Sequence, residues 1–175
     1  MNKPLEIKTK MRFRDALRYH LYVAYSTTVN RIFAVLSFAS LGMFIYSMIS
    51  GDATMDVRFA KSFALLIPPF IFFVVIPVKV WKATAALLDS QLLKEEAIYI
   101  FNLEKVTLKT SQGEADIQWD EYVKIIETRH DIRFFMDKIQ AQIIPKYCLT
   151  QQQKQALCEI IAQAADPKII KLKSV

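Results

Sequence analysis

The sequence is poor in the residues on which most catalytic and metal sites depend. Its 175 residues include only two cysteines, two histidines and three glycines. Cys148 and Cys158 match no metal or redox spacing, and His20 and His130 have no cysteine or carboxylate at ligand spacing. The glycines are too scattered for a phosphate loop, and no serine lies in a nucleophile elbow. We therefore expect no cofactor, no metal ion and no enzymatic activity, and we expect both thiols to be reduced.

Charged residues are absent from two long apolar runs, Ile32 to Ile49 and Phe63 to Val78. Each run is close to the length that crosses a hydrocarbon core of roughly 30 Å. A soluble protein seldom places two such runs side by side, because each helix would expose apolar surface all round. The sequence therefore predicts a transmembrane helical hairpin over residues 32–80, with spans at about 32–49 and 63–80. Pro68, Pro69 and Pro77 predict a bend in the second helix.

Positive charge is concentrated before the first apolar run. Seven lysines and arginines precede residue 32, against two acidic residues, whereas the chain from residue 83 onward is almost neutral. A nearly neutral C-terminal domain argues against a nucleic-acid partner. The positive-inside rule predicts that both termini are cytoplasmic and that the short loop between the spans lies outside. The predicted membrane-interface residues are Lys8, Lys10, Arg12, Arg14, Arg18, Arg31, Lys79, Trp81 and Lys82.

Residues 1–31 change period once. Apolar and charged residues alternate from Leu5 to Phe13, which predicts a strand that pairs with the C-terminal domain, since a lone strand is not stable. From Arg14 to Thr28 the apolar spacing becomes helical, with basic residues on another face. This amphipathic helix either lies along the membrane interface or continues the first span into the cytoplasm, and the sequence leaves both alternatives open.

After the hairpin, residues 81–96 predict a helical connector and residues 97–175 a small β-domain. Period-two alternation predicts an antiparallel meander with one buried face. Its six strands are predicted at 97–103, 105–110, 115–119, 123–129, 132–137 and 139–144. Thr150 and Gln153 form a capping box that opens a helix to about Ala165. We expect the tail after Pro167 to fray or to touch the membrane.

Alternation also assigns side chains to the two faces of this meander. Trp119 and Cys158 are predicted in the core, while Arg133 and Asp137 are placed opposite the apolar face. Lys105 and Lys109 share the outer face of one strand and, together with Lys124, could meet a lipid head group. Exposed strand lysines are also an ordinary protection against edge pairing, so this prediction has a simpler alternative.

The order of these segments resembles the YcxB-like family of small bacterial membrane proteins. The resemblance rests on the stretch from Ile117 to Thr128 and on the Ile-Pro-Lys-Tyr turn ending at Tyr147, with Tyr19-His20 near the N-terminus. It implies that the soluble part is a pleckstrin-homology-like roll, a bent antiparallel sheet closed by a C-terminal helix. It also implies that the protein is located in the bacterial inner membrane. The family has no established activity and offers no catalytic residue. Its motif residues here are Trp119, Tyr122, Glu127, Pro145 and Lys146.

The predicted fold class is thus an α+β membrane protein, with a two-helix transmembrane hairpin and a small antiparallel β-roll closed by a C-terminal helix. The predicted function is non-enzymatic: the hairpin meets the lipid bilayer, and the cytoplasmic domain binds an unknown protein partner or a lipid head group. Self-association into a homo-oligomer is a further option. The alternative is a membrane-anchored immunity or resistance protein that neutralises a toxin or an antimicrobial peptide.

Overall fold

The computed structural model describes residues 4–50, 54–88 and 95–172, and the chain divides into two compact units. The first unit, here called the β-domain, comprises Met1–Asp15 and Leu87–Val175. The second, here called the helical unit, comprises Ala16–Ala86. Two long apolar helices, two sheets and a C-terminal helix confirm the predicted α+β class.

Three helices make up most of the helical unit: α1 (Phe13–Ser26), α2 (Thr28–Ile49) and α3 (Met55–Ala85). Thr27 separates α1 from α2, because its extended backbone and its side chain cap the N-terminus of α2. The predicted amphipathic helix is therefore a helix of its own. The predicted connector helix over 81–96 is described only in part: α3 ends at Ala85, residues 86–88 form a turn, and residues 89–94 lie outside the described residues.

Both α2 and α3 are long and apolar enough to cross a membrane. They have 22 and 31 residues, and only 11% of the most apolar window of each is buried within the protein. At 1.5 Å per residue these lengths correspond to about 33 and 46 Å. The two apolar helices predicted from the sequence are confirmed by length and composition, and both begin before the predicted spans.

The helix α3 changes its hydrogen-bonding pattern around its prolines. A 3-10 turn at Phe63–Leu66 precedes the two adjacent prolines, and a π-helical stretch at Ile71–Val75 precedes Pro77. Proline has no backbone N–H and clashes with the preceding turn, so the regular α-helical bonding is interrupted in the turn before each proline site. The prolines themselves lie in the first turns of two α-helical segments, Ile67–Phe70 and Ile76–Ala85.

Two four-stranded sheets form the β-domain, where the sequence predicted one meander. The first has the order β1-β2-β3-β4 and the second the order β7-β6-β5-β8. The break between the sheets falls at a 3-10 turn, Trp119–Glu121. The strands are β1 (Leu5–Thr9), β2 (Ala97–Phe101), β3 (Lys105–Thr110), β4 (Gly113–Gln118), β5 (Lys124–Glu127), β6 (Asp131–Phe135), β7 (Ala141–Pro145) and β8 (Ile170–Lys171).

Two details at the ends of the domain differ from the sequence prediction. The first strand stops at Thr9 instead of Phe13, because Phe13 already begins α1, and the Arg12 N–H before it donates to the Asp15 carboxylate in the first turn at 3.1 Å. The tail does not fray over its described part: Ile170 pairs with Ile125 in a parallel ladder. The predicted pairing of the N-terminal strand is confirmed, since β1 is antiparallel to β2.

The core of the β-domain lies between its sheets and the C-terminal helix α4 (Gln151–Ala164). Both bonds of the predicted capping box are present at the start of α4. Leu157 and Ile161 are fully buried against the sheets. Trp119 is buried as predicted, and its indole N–H donates to the Asn102 carbonyl at 2.9 Å.

Candidate functional site

Small polar side chains line the contact between α2 and α3. The Ser40 hydroxyl donates to the Leu65 carbonyl at 2.9 Å, and the hydroxyls of Ser47 and Ser62 are 2.5 Å apart. Arg58 donates to the Met48 carbonyl at 2.6 Å, which satisfies one of the last carbonyls of α2. Serines that allow close approach and bond across helices are typical of helix pairs in membranes.

The prolines of α3 leave two of its backbone carbonyls without a donor from their own helix, and side chains of α1 and α2 donate to these carbonyls instead. In a helix the Leu65 carbonyl accepts from the N–H three or four residues ahead, but both of these residues are prolines and have no N–H. The Ser40 hydroxyl donates the missing hydrogen bond. In the π-helical stretch the Ile76 N–H donates to the Ile71 carbonyl, so the next carbonyl, Phe72, faces the missing donor of Pro77. The Tyr25 hydroxyl of α1 donates to it at 2.9 Å.

The helix α1 also contacts α3 twelve residues further along, where His20 Nδ1 lies 2.9 Å from the Thr84 hydroxyl. That hydroxyl donates its hydrogen to the Val80 carbonyl, so His20 Nδ1 is the donor. Burial lowers the pKa of His20, which favours the neutral ring. The two contacts are twelve residues apart on α3, about 18 Å along its axis, and five residues apart on α1, about 7.5 Å. Both contacts lie within the helical unit, and the two alternatives for this segment, a helix along the membrane interface or a continuation of the first span, stay predictions.

All nine predicted membrane-interface residues are exposed within their units. Lys79, Trp81 and Lys82 lie near the C-terminal end of α3, and Arg18 lies on α1. The remaining residues are Lys8, Lys10, Arg12 and Arg14, which belong to the β-domain, and Arg31, which lies near the start of α2.

A buried group of charges joins the two motif segments of the β-domain. Glu127 is only 2% exposed, and its Oε1 lies 2.6 Å from Lys146 Nζ and 3.1 Å from Lys154 Nζ. Lys146 also donates to the Thr128 carbonyl at 2.6 Å. Two motif residues identified from the sequence therefore contact each other directly. The nearby Cys158 thiol is buried as predicted, and burial, reinforced by the charge of Glu127, raises its pKa.

Arg133 corrects the assignment of faces made from the sequence. Alternation placed it on the face opposite the apolar side chains, yet it is 4% exposed, because β6 lies between β5 and β7 and all five of its residues are buried. Its guanidinium makes a bidentate pair with Asp131 at 2.8 and 3.0 Å, and the Thr128 hydroxyl donates to the same carboxylate at 2.5 Å. This pairing compensates for the burial of both charges.

The three lysines proposed for a head group are distributed over two sheets. Lys105 and Lys109 lie on β3 and pair with Asp116 at 2.5 Å and Glu114 at 3.1 Å across to β4. The hydrogen bond to Asp116 raises the pKa of Lys105. Lys124 lies on β5 of the second sheet, with its ammonium 5.9 Å from the centre of the Phe135 ring. The prediction that they bind together stays a prediction, and the two β3 lysines already have acidic partners.

A separate cavity of about 450 Å³ in the β-domain brings basic and apolar side chains together. The guanidinium carbon of Arg12 lies 4.1 Å above the centre of the Tyr147 ring. The Tyr147 hydroxyl lies 2.7 Å from the Lys10 carbonyl and 2.8 Å from Asp15 Oδ2. Burial and the Asp15 contact raise the pKa of Tyr147, so the phenol stays protonated. The cavity is lined by Lys10, Met11, Arg12, Phe13, Leu88 and Tyr147.

Sequence reasoning missed this cavity. It assigned Lys10 and Arg12 to the membrane interface one by one and gave Tyr147 no role, although Tyr147 closes the Ile-Pro-Lys-Tyr turn. Among the described residues, no group of three or more histidine, cysteine, aspartate or glutamate side chains is placed to hold a metal ion.

The fold and these sites describe a protein with a pair of apolar helices and a two-sheet β-domain. A family model described as YcxB-like protein matches residues 101–161. These residues are therefore similar to the YcxB-like family, and the resemblance predicted from the sequence is confirmed over this range. The match includes all five predicted motif residues and extends from the end of β2 into α4. Neither a curated protein nor a solved structure matches the chain.

Proposed function

We propose that this chain is an integral protein of the bacterial inner membrane that holds a non-enzymatic binding domain on the cytoplasmic face. The observation that carries the proposal is the apolar surface of α2 and α3. Large apolar side chains on both helices are more than half exposed, including Phe38 and Met43 on α2 and Phe70 on α3. Such a surface needs lipid hydrocarbon or partner helices to cover it.

The pairing of β1 with β2 supports the proposed topology. β1 precedes α2 and α3, and β2 follows them, yet the two strands share one sheet. A sheet can form only from strands on the same side of the membrane, so this pairing requires an even number of crossings between Thr9 and Ala97. Two helices of spanning length fit this requirement, and the basic residues before α2 favour the cytoplasmic side.

Reporter fusions to the full chain test the location. A reporter fused after Val175 should be active only in its cytoplasmic form, and one fused after Ser50, at the end of α2, only in its periplasmic form. The chain should also stay in the membrane fraction after an alkaline carbonate wash. A periplasmic signal from the Val175 fusion, or release by carbonate, would overturn the proposal.

Purification of the full chain from its native membrane in mild detergent identifies what the domain binds. A stoichiometric protein or a retained lipid would support the binding role, whereas a chain recovered without either would count against it. The immunity or resistance role stays a prediction, tested by the survival of cells lacking the chain under toxin challenge.

A further inference from the structure

We propose that the cavity beside Tyr147 binds the phosphate head group of an anionic phospholipid. This inference rests on the proposed function, because the lipid reaches the cavity only if the β-domain is held at a membrane. It assigns the head-group role to Lys10 and Arg12, which line a cavity, and not to the three strand lysines, of which Lys105 and Lys109 already have acidic partners.

The charge around the cavity suits an anion. Lys10 and Arg12 are both exposed, and within the described part of the chain neither side chain has an ion-pair partner. Asp15 is the acidic neighbour, but it is only 3% exposed, and its Oδ2 already accepts from the Arg12 N–H at 3.1 Å and contacts the Tyr147 hydroxyl at 2.8 Å. Among the lining residues, the charged side chains that reach solvent are therefore both cationic.

The position of Arg12 is fixed by its neighbours. Its guanidinium stacks on Tyr147 at 4.1 Å, and the tyrosine is held by contacts of its hydroxyl with Lys10 and Asp15. A stacked guanidinium keeps its N–H groups available in the plane of the fork, which matches two oxygens of a phosphate. Less side-chain entropy is then lost on binding than for a freely moving arginine.

The apolar part of the lining favours a lipid over a free phosphate. Met11, Phe13 and Leu88 contribute to the same cavity. Inorganic phosphate would leave these side chains in contact with water, whereas the glycerol and the first acyl carbons of a phospholipid would cover them. A volume of about 450 Å³ is within the range of ordinary ligand sites.

The test uses the full chain in neutral detergent micelles, titrated with phosphatidylglycerol and followed by native mass spectrometry. We expect Lys10→Gln combined with Arg12→Gln to weaken phosphatidylglycerol binding by about tenfold or more, the loss expected for charge-assisted hydrogen bonds. Lys105→Gln combined with Lys109→Gln removes the same charge from β3, and this matched control should change the affinity by less than about twofold. Should the first variant fail to fold, the single exposed change Lys10→Glu provides the same comparison.

Equal losses in the cavity variant and the β3 variant, or no loss in either, would overturn the inference. Equal binding of phosphatidylcholine would also overturn it, and so would inorganic phosphate that competes as well as the lipid. The carbonate wash keeps the two proposals separate. A chain that stays in the membrane but does not prefer phosphatidylglycerol refutes only this inference, whereas a chain released by carbonate refutes the proposed function.

Discussion

At the scale of single residues, the Glu127 carboxylate in the β-domain is buried and paired with two lysines. Its side chain is 1% exposed and lies between two ammonium groups, on Lys146 and Lys154. A buried charge is tolerated only when its partners replace the lost hydration. Lys146 also binds the Thr128 carbonyl, so one lysine from the turn after β7 holds the end of β5 in place.

We expect Lys146→Gln to lower the free energy of unfolding by about 2–4 kcal/mol, because it leaves Glu127 buried with one ammonium fewer. The measurement is a urea titration of the full chain in detergent, followed by tryptophan fluorescence. Lys138 is exposed in the turn between β6 and β7, so Lys138→Gln should change the stability by less than about 0.5 kcal/mol. A loss below about 1 kcal/mol for Lys146→Gln would show that Lys154 alone satisfies the carboxylate.

Individual residues also show how far sequence reasoning reaches. Trp119 and Cys158 were predicted correctly in the core, because large apolar and thiol side chains are normally buried. Arg133 was misplaced, because alternation treats a charged residue as exposed and cannot see that Asp131, two residues away on the same face, neutralises it. The Tyr147 cavity depends on a contact across 137 residues of sequence, which no local pattern contains.

At the scale of elements, α3 is a helix whose irregularities are compensated by its neighbours. The three prolines predicted a bend, and the structure adds which side chains replace the missing donors: Ser40 at Leu65 and Tyr25 at Phe72. Hydropathy identifies apolar helices well, but it carries no information on which faces meet. The pairing of particular serines with particular carbonyls therefore had to come from the structure.

A double-mutant cycle on Ser40 and Pro69 tests this compensation. In the native helix we expect Ser40→Ala to cost about 0.6 kcal/mol, the average for hydrogen bonds between membrane helices, and no more than about 1.7 kcal/mol. In a Pro69→Ala background the new backbone N–H at that position can serve the Leu65 carbonyl, so the same Ser40→Ala change should cost much less. The measurement is the free energy of unfolding in mixed micelles titrated with sodium dodecyl sulfate, followed by near-ultraviolet circular dichroism. Equal costs in both backgrounds would contradict the compensation.

At the scale of the whole molecule, the β-domain is assembled from chain on both sides of the apolar helices. The alternation of the first residues was enough to predict a strand paired with the C-terminal domain, and β1 does pair with β2. The split into two sheets was not predictable from period two, since alternation gives strand faces but not strand order. The parallel strand β8 has only two residues, too few to show any period.

This assembly predicts that one change before the helices unfolds the domain after them. Ile7 on β1 is fully buried in the core of the β-domain, whereas its neighbour Lys8 is exposed on the same strand. Ile7→Asp places an unpaired carboxylate in that core and should cost about 3 kcal/mol or more, while Lys8→Ser should be close to neutral.

Trypsin digestion of the full chain in isolated membranes, read by the masses of the fragments, should show rapid cleavage within residues 97–171 only for Ile7→Asp. Both variants should stay in the membrane after the carbonate wash, because α2 and α3 are unchanged. If the β-domain of Ile7→Asp resisted trypsin as well as the native chain, β1 would be dispensable, and its pairing with β2 could no longer be used to argue for the side on which the termini lie.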